Sequence, residues 1–209
     1  CCINSNVHIT DCIVSNNSGV CASAGYGAFV SRCIIRDNAI IGYDGFTTPN
    51  VIAGDGVFFA CLLFDNPCES ADGGAIGRST LVNCTVVGNA ATDRLIRNDA
   101  QVRSIATVYC GSYCARPKPT QQECIFWDFG SIASDVSGYT LADPYLISRS
   151  GHDYRVLACS PACACAAVPA ADNFGTDYYK YVSLGFDDAV IRYTDKRPMV
   201  GALMDHVPG

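Results

Sequence analysis

A six-residue phrase recurs along this chain: cysteine, two mostly apolar residues, a free position, a turn residue, then usually asparagine. It reads Cys12-Ile-Val-Ser-Asn-Asn17, Cys33-Ile-Ile-Arg-Asp-Asn38, Cys61-Leu-Leu-Phe-Asp-Asn66, Cys84-Thr-Val-Val-Gly-Asn89 and Cys124-Ile-Phe-Trp-Asp-Phe129. Its cysteines are about 21, 28, 23 and 40 residues apart, the range of solenoid coils with loops inserted. Strand alternation puts the cysteine and the residue two later on one face. That second column is Val14, Ile35, Leu63, Val86 and Phe126, apolar throughout, so both columns are expected to face a core. The closing asparagine falls where the chain bends. Asparagine tolerates left-handed backbone there, and its amide can bond the same side chain in the coils above and below. Asn17, Asn38, Asn66 and Asn89 therefore predict a ladder, ended by Phe129.

The cysteines divide on the same pattern. Cys12, Cys33, Cys61, Cys84 and Cys124 share one register and read as an inward column of small, largely apolar thiols. Neighbours in such a stack lie about 4.8 Å apart, within disulfide reach. In-register parallel neighbours point the same way, however, so free thiols are expected. The other cysteines, including Cys21 and Cys68, read as loop or tail residues. Cys110 with Cys114 and Cys159 with Cys163 are the most local disulfide candidates. The spacing also leaves zinc open, but no histidines lie nearby to complete a site.

Charge narrows the partners. Only 16% of residues are charged and the net charge is −6, with three lysines and scattered arginines. No basic stripe suits nucleic acid, and no apolar run approaches the roughly 18–20 residues of a membrane span. The opening phrase Cys1-Cys-Ile-Asn-Ser-Asn6 already looks like a strand, so the chain is read as starting within a coil. A processed or truncated piece of a longer secreted protein is expected; a mature lipoprotein beginning at its cysteine is the alternative.

From about residue 130 the phrase stops and an irregular segment begins. It contains Asp143-Pro144, Asp153-Tyr154-Arg155, Ser160-Pro161-Ala162 and Arg197-Pro198. These, with Gly73-Gly-Ala-Ile76, Ser79-Thr-Leu-Val-Asn-Cys-Thr-Val-Val-Gly-Asn89 and Glu123-Cys-Ile-Phe-Trp-Asp128, resemble secreted bacterial right-handed parallel β-helix proteins of the pectin-lyase-like class. The second set resembles that group's closing motif, with Cys159 in place of a usual glycine and Cys163 and Cys165 as further departures. The resemblance implies an all-β, right-handed parallel β-helix of about five to six coils. Residues 1–130 would form the coils and 131–209 an irregular C-terminal cap. It also implies a secreted or cell-surface location. The group holds lyases, hydrolases, adhesins and surface proteins, so it does not by itself assign an activity.

Candidate chemistry is sparse. Lyases of the class generally use an Arg or Lys base with calcium held by acidic residues. Asp37 and Asp65 share a register in successive coils, and Asp128 follows in the same register. Like charges about 5 Å apart repel unless a cation lies between them, so a structural calcium site is the sharpest metal reading and turn aspartates the bland one. Arg36 would be the base. Asp187-Asp188 would face opposite sides of a strand, His152 falls in the closing motif, and His8 and His206 have no evident partners. No catalytic residue is assigned.

The outward positions are more suggestive. Ile13, Ile34, Leu62, Thr85 and Ile125 form one column, and Ser15, Arg36, Phe64, Val87 and Trp127 another. Such an apolar stripe is either covered or used. Residues 170–196 or 39–55 could cover it. Alternatively Phe64, Trp127 and Arg36, extended by Tyr178, Tyr179 and Tyr181, would contact a glycan or another protein. The expected function is a structural and binding scaffold, with head-to-tail self-association as a further possibility through its exposed coil edge. A polysaccharide lyase or glycoside hydrolase is the alternative.

Overall fold

In the computed structural model the described residues are 7–19, 28–40, 51–54, 56–67, 74–89, 102–111, 120–122, 124–127, 139–148, 150–156 and 160–161. Nearly all of their regular structure is strand, with almost no helix, and the longer sheets are parallel. The strands are two to four residues long and recur in units. The first unit holds β1 (His8–Thr10), β2 (Ile13–Ser15) and β3 (Ser18–Gly19). The second holds β4 (Phe29–Ser31), β5 (Ile34–Arg36) and β6 (Ala39–Ile40). Then come β7 (Val51–Ala53), β8 (Val57–Phe59) and β9 (Leu62–Phe64), followed by β10 (Gly74–Ile76), β11 (Thr80–Val82) and β12 (Thr85–Val87). Pairs β13 (Arg103–Ile105) with β14 (Val108–Cys110) and β15 (Thr120–Gln122) with β16 (Cys124–Trp127) continue the series. After β17 (Tyr139–Leu141) comes an antiparallel hairpin, β18 (Leu146–Ser148) and β19 (Asp153–Val156).

Like strands of successive units stack. One six-stranded sheet runs β1-β4-β8-β11-β13-β15, and a seven-stranded sheet runs β2-β5-β9-β12-β14-β16-β17. Register is kept throughout: Val14 pairs Ile35, Ile35 pairs Leu63, Leu63 pairs Val86, Val86 pairs Tyr109, and Tyr109 pairs Phe126. The 40-residue gap in the sequence pattern therefore conceals a unit. Thr107-Val-Tyr-Cys-Gly111 occupies it, with Thr107 in the cysteine column.

Two sharp bends per unit turn the chain between sheets. At the first, before the cysteine, Asp11, Arg32, Ala60, Asn83 and Ala106 all have φ between 47° and 53°. At the second, after β2, β5, β9, β12 and β14, stand Asn16, Asp37, Asp65, Gly88 and Gly111, again left-handed. Asn, Asp and Gly suit this region, whereas Arg32, Ala60 and Ala106 pay about 1–2 kcal/mol each. The left-handed residue at the second bend is thus the turn residue, one place before the ladder asparagine. That corrects the expectation that the ladder asparagine itself takes this geometry.

The asparagine ladder is present. Asn17 Nδ2 donates to Asn38 Oδ1 at 2.9 Å, Asn38 Nδ2 to Asn66 Oδ1 at 3.0 Å, and Asn66 Nδ2 to Asn89 Oδ1 at 2.7 Å. The backbone N–H of Asn17, Asn38 and Asn66 donates to the same oxygens. Each amide also satisfies carbonyls left over at the bend; that of Asn66 reaches Ile35 and Phe64.

The thiols serve the first bend in a similar way. Cys33 Sγ donates to the carbonyls of Ser31 and Ile9, Cys61 Sγ to those of Phe59 and Val30, and Cys84 Sγ to those of Val82 and Phe58. Thr107 Oγ1 makes the equivalent bonds to Ile105 and Leu81, which is why threonine can replace cysteine. Cys12, Cys33, Cys61 and Cys84 are free thiols, and all but Cys12 are buried. The core between the sheets adds Val30, Phe58 and Leu81 from one side and Ile35, Leu63, Val86, Tyr109 and Phe126 from the other. Tyr109 stacks on Phe126 with centroids 4.6 Å apart, and its buried hydroxyl lies 2.5 Å from Ser104 Oγ. Ser104 stands where neighbouring units have Leu81 and Phe58, so a small residue makes room for a large one opposite.

Candidate functional site

The outward columns of the seven-stranded sheet meet two fates. Leu62, Phe64, Val87 and Cys110 are buried beneath the β18–β19 hairpin, with Tyr154 and Leu146 packed on them. The Tyr154 ring lies 4.9 Å from that of Phe64. His152 completes the clamp: its ring packs on Phe64, and Nδ1 sits 3.0 Å from the Tyr154 hydroxyl and 3.3 Å from Asp65 Oδ2. Ser160 Oγ donates to the Pro144 carbonyl at 2.6 Å and ties the hairpin base. Over Leu62, Phe64, Val87 and Cys110 the cover is therefore this hairpin. Phe64, expected on an exposed contact face, is instead buried under the hairpin. Residues 170–196, one expected cover, lie outside the described residues, as do 41–50 and 55 of the other, 39–55, and Tyr178, Tyr179 and Tyr181.

Alongside the hairpin the same face opens into a groove of about 560 Å³. Cys110 and Trp127 of the sheet and Asp143, Tyr145, Leu146, Ile147, Ser148 and Ser150 line it. Trp127 is 39% exposed and Tyr145 47%. Trp127 is the last described member of its outward column, since β17 pairs only with Cys124, Ile125 and Phe126 of β16. Tyr145 is held out by local chemistry. Its φ is 48°, a left-handed value that bulky residues avoid, and its N–H donates to Asp143 Oδ1 at 2.8 Å. Trp127 was singled out in the sequence, whereas Tyr145, which shares its groove, was not. The Asp-Pro pair preceding Tyr145 was the available signal, since an aspartate there can cap a turn that presents the following residue.

The other candidates do not gather here. Arg36 Nη1 bonds its neighbour Asp37 at 2.6 Å, both half-exposed, so the guanidinium is committed to a carboxylate. Asp65, stacked next to Asp37 in register, turns to His152. Asp37 and Asp65 thus each have a cationic or imidazole neighbour at a left-handed bend. Among the described residues no three acidic, cysteine or histidine side chains converge on a point where a metal could sit. A bidentate pair links the first two units, Arg32 Nε and Nη2 to the Asp11 carboxylate, and holds that carboxyl below its usual range. His8 lies against Phe29 of the next unit. Cys110 is a buried strand residue rather than the loop residue expected, and Cys114, Cys159 and Cys163 lie outside the described residues. No described helix is long and apolar enough to cross a membrane. Against this background no family model, no curated protein and no solved structure matches the chain.

Proposed function

We propose that this protein is a non-catalytic, extracellular or cell-surface scaffold built as a right-handed parallel β-helix, whose groove near Trp127 and Tyr145 contacts a glycan. In-register parallel sheets of six and seven strands, turned by two recurrent bends per unit, support a β-helix of about six coils. The observation that carries the function is the pairing of two exposed aromatics in one groove with a carboxylate and two serines. Sugar rings present C–H faces that pack on aromatic faces, and their hydroxyls bond carboxylate and hydroxyl groups placed alongside. An enzyme of the pectin-lyase-like class would need a base and convergent carboxylates, and Arg36, Asp37 and Asp65 are engaged elsewhere.

The test is a glycan array followed by titration calorimetry on each hit. Trp127→Ala and Tyr145→Ala should each weaken binding roughly five- to tenfold, about 1–1.4 kcal/mol, while Arg36→Ala leaves it unchanged. No hit on the array, or hits indifferent to both aromatic substitutions, would remove the groove from the reading. Release of new reducing ends from a bound polysaccharide would move the protein to the hydrolase or lyase alternative.

A further inference from the structure

Among the described residues lining the groove, Asp143 carries the only charge, and its two oxygens are used differently. Oδ1 accepts the Tyr145 N–H at 2.8 Å, which ties the carboxylate to its own turn. No described group bonds Oδ2. The side chain is half-buried at the groove wall, in company with the exposed rings of Trp127 and Tyr145. Ser148 Oγ accepts the Gly151 N–H at 3.0 Å, so its own O–H is left to donate. The groove thus offers an open carboxylate oxygen, two aromatic rings and a hydroxyl donor.

We propose that the glycan held here is one with free amino groups, an N-deacetylated hexosamine oligomer, whose ammonium pairs with Asp143 Oδ2 and lies against the aromatic rings. This rests on the glycan reading of the groove and narrows it. Aromatic faces carry the negative part of the ring quadrupole, so they and the carboxylate attract the same sign of charge. A neutral sugar gains C–H packing on the rings and ordinary hydrogen bonds at Asp143. An ammonium adds a charge-assisted bond and a cation–π contact, which is the stronger combination. A uronate or sulfated sugar sets like charges side by side, and the net charge of −6 opposes its approach. Because Asp143 is only half-buried, the pair forms without the heavy desolvation penalty of a buried ion pair. The Ser148 hydroxyl then donates to a sugar oxygen, a partner that a bare ammonium ligand does not provide.

Titration calorimetry of the full chain tests this with tetramers of β-linked glucosamine, of its N-acetylated counterpart and of galacturonate. The glucosamine tetramer should bind about tenfold more tightly than the N-acetylated one, and the galacturonate tetramer most weakly. Asp143→Asn keeps an oxygen for the Tyr145 N–H. It should leave the affinity for the N-acetylated tetramer unchanged and bring that for glucosamine down to match. Equal affinity of the wild type for the two hexosamine tetramers overturns the proposal and leaves the glycan reading standing. A glucosamine preference that survives Asp143→Asn comes from the overall acidic charge and overturns it too. So does tetralysine binding as tightly as the glucosamine tetramer with the same dependence on Asp143. If no tetramer binds, the amine proposal falls, and the glycan array alone decides whether the groove takes another sugar.

Discussion

Asn66 shows how much a single side chain does in this protein. Its amide nitrogen spreads its hydrogens over Asn89 Oδ1, the Phe64 carbonyl and the Ile35 carbonyl, while its oxygen accepts from Asn38 twice. All of this is buried, so removing the side chain strands several polar groups away from water. Asn66→Ala should therefore cost about 2–4 kcal/mol in urea unfolding; a loss below about 1 kcal/mol would mean that the ladder is incidental. The asparagines were legible because one residue type recurs at a fixed offset from a cysteine. The unit at Thr107 was not, since threonine reproduces the hydrogen bonds of the thiol without its letter. Backbone chirality was legible only in part. Asp and Asn at the bends announce left-handed geometry, but Arg32, Ala60 and Ala106 adopt it against their own preference, because their neighbours in the stack impose it.

The closing hairpin is the element on which the outward face depends. Its amino acids were read as a cap because they depart from the repeat, yet the target of the cap depends on long-range packing that no local pattern encodes. Tyr154 is the anchor, buried against Phe64 and bonded through its hydroxyl to His152. Tyr154→Ala should destabilise by about 3–5 kcal/mol, the cost of removing a large buried aromatic. It should also raise amide exchange across Leu146–Val156 and increase binding of a hydrophobic dye at the uncovered Phe64 and Val87. Unchanged exchange in that hairpin would show that Tyr154 does not hold it. Trp127 lines a groove with the hairpin instead of packing under it, and of the two aromatics singled out on this face it alone remains exposed.

At the scale of the whole molecule, the thiol column links stability to alkaline pH. The Cys33 thiol is pushed upward by the neighbouring Cys61 side chain and by burial, and Cys61 chiefly by burial. In the unfolded chain both ionise near about 8.5. The folded state therefore binds more protons above that value, so the contribution is complete below it and is lost as pH rises. Each thiol should remove up to roughly 1.4 kcal/mol per pH unit beyond that point. Urea midpoints measured from pH 7 to 10.5 should fall, and Cys61→Ala should flatten the fall; equal slopes in the two proteins would contradict the assignment.

The equivalence of the bends has a consequence for the history of such a chain. Ala60 and Asn83 share φ near 50°, and each is followed by a cysteine that serves the bend in the same way. Excising residues 61–83 would join Ala60 to Cys84 and bring Asn38 opposite Asn89, leaving the cysteine and asparagine columns in register but one member shorter. Insertion of the same segment would lengthen them by one. Gene duplication and loss can therefore change the molecule's length in whole steps, provided the hairpin keeps an anchor equivalent to Phe64.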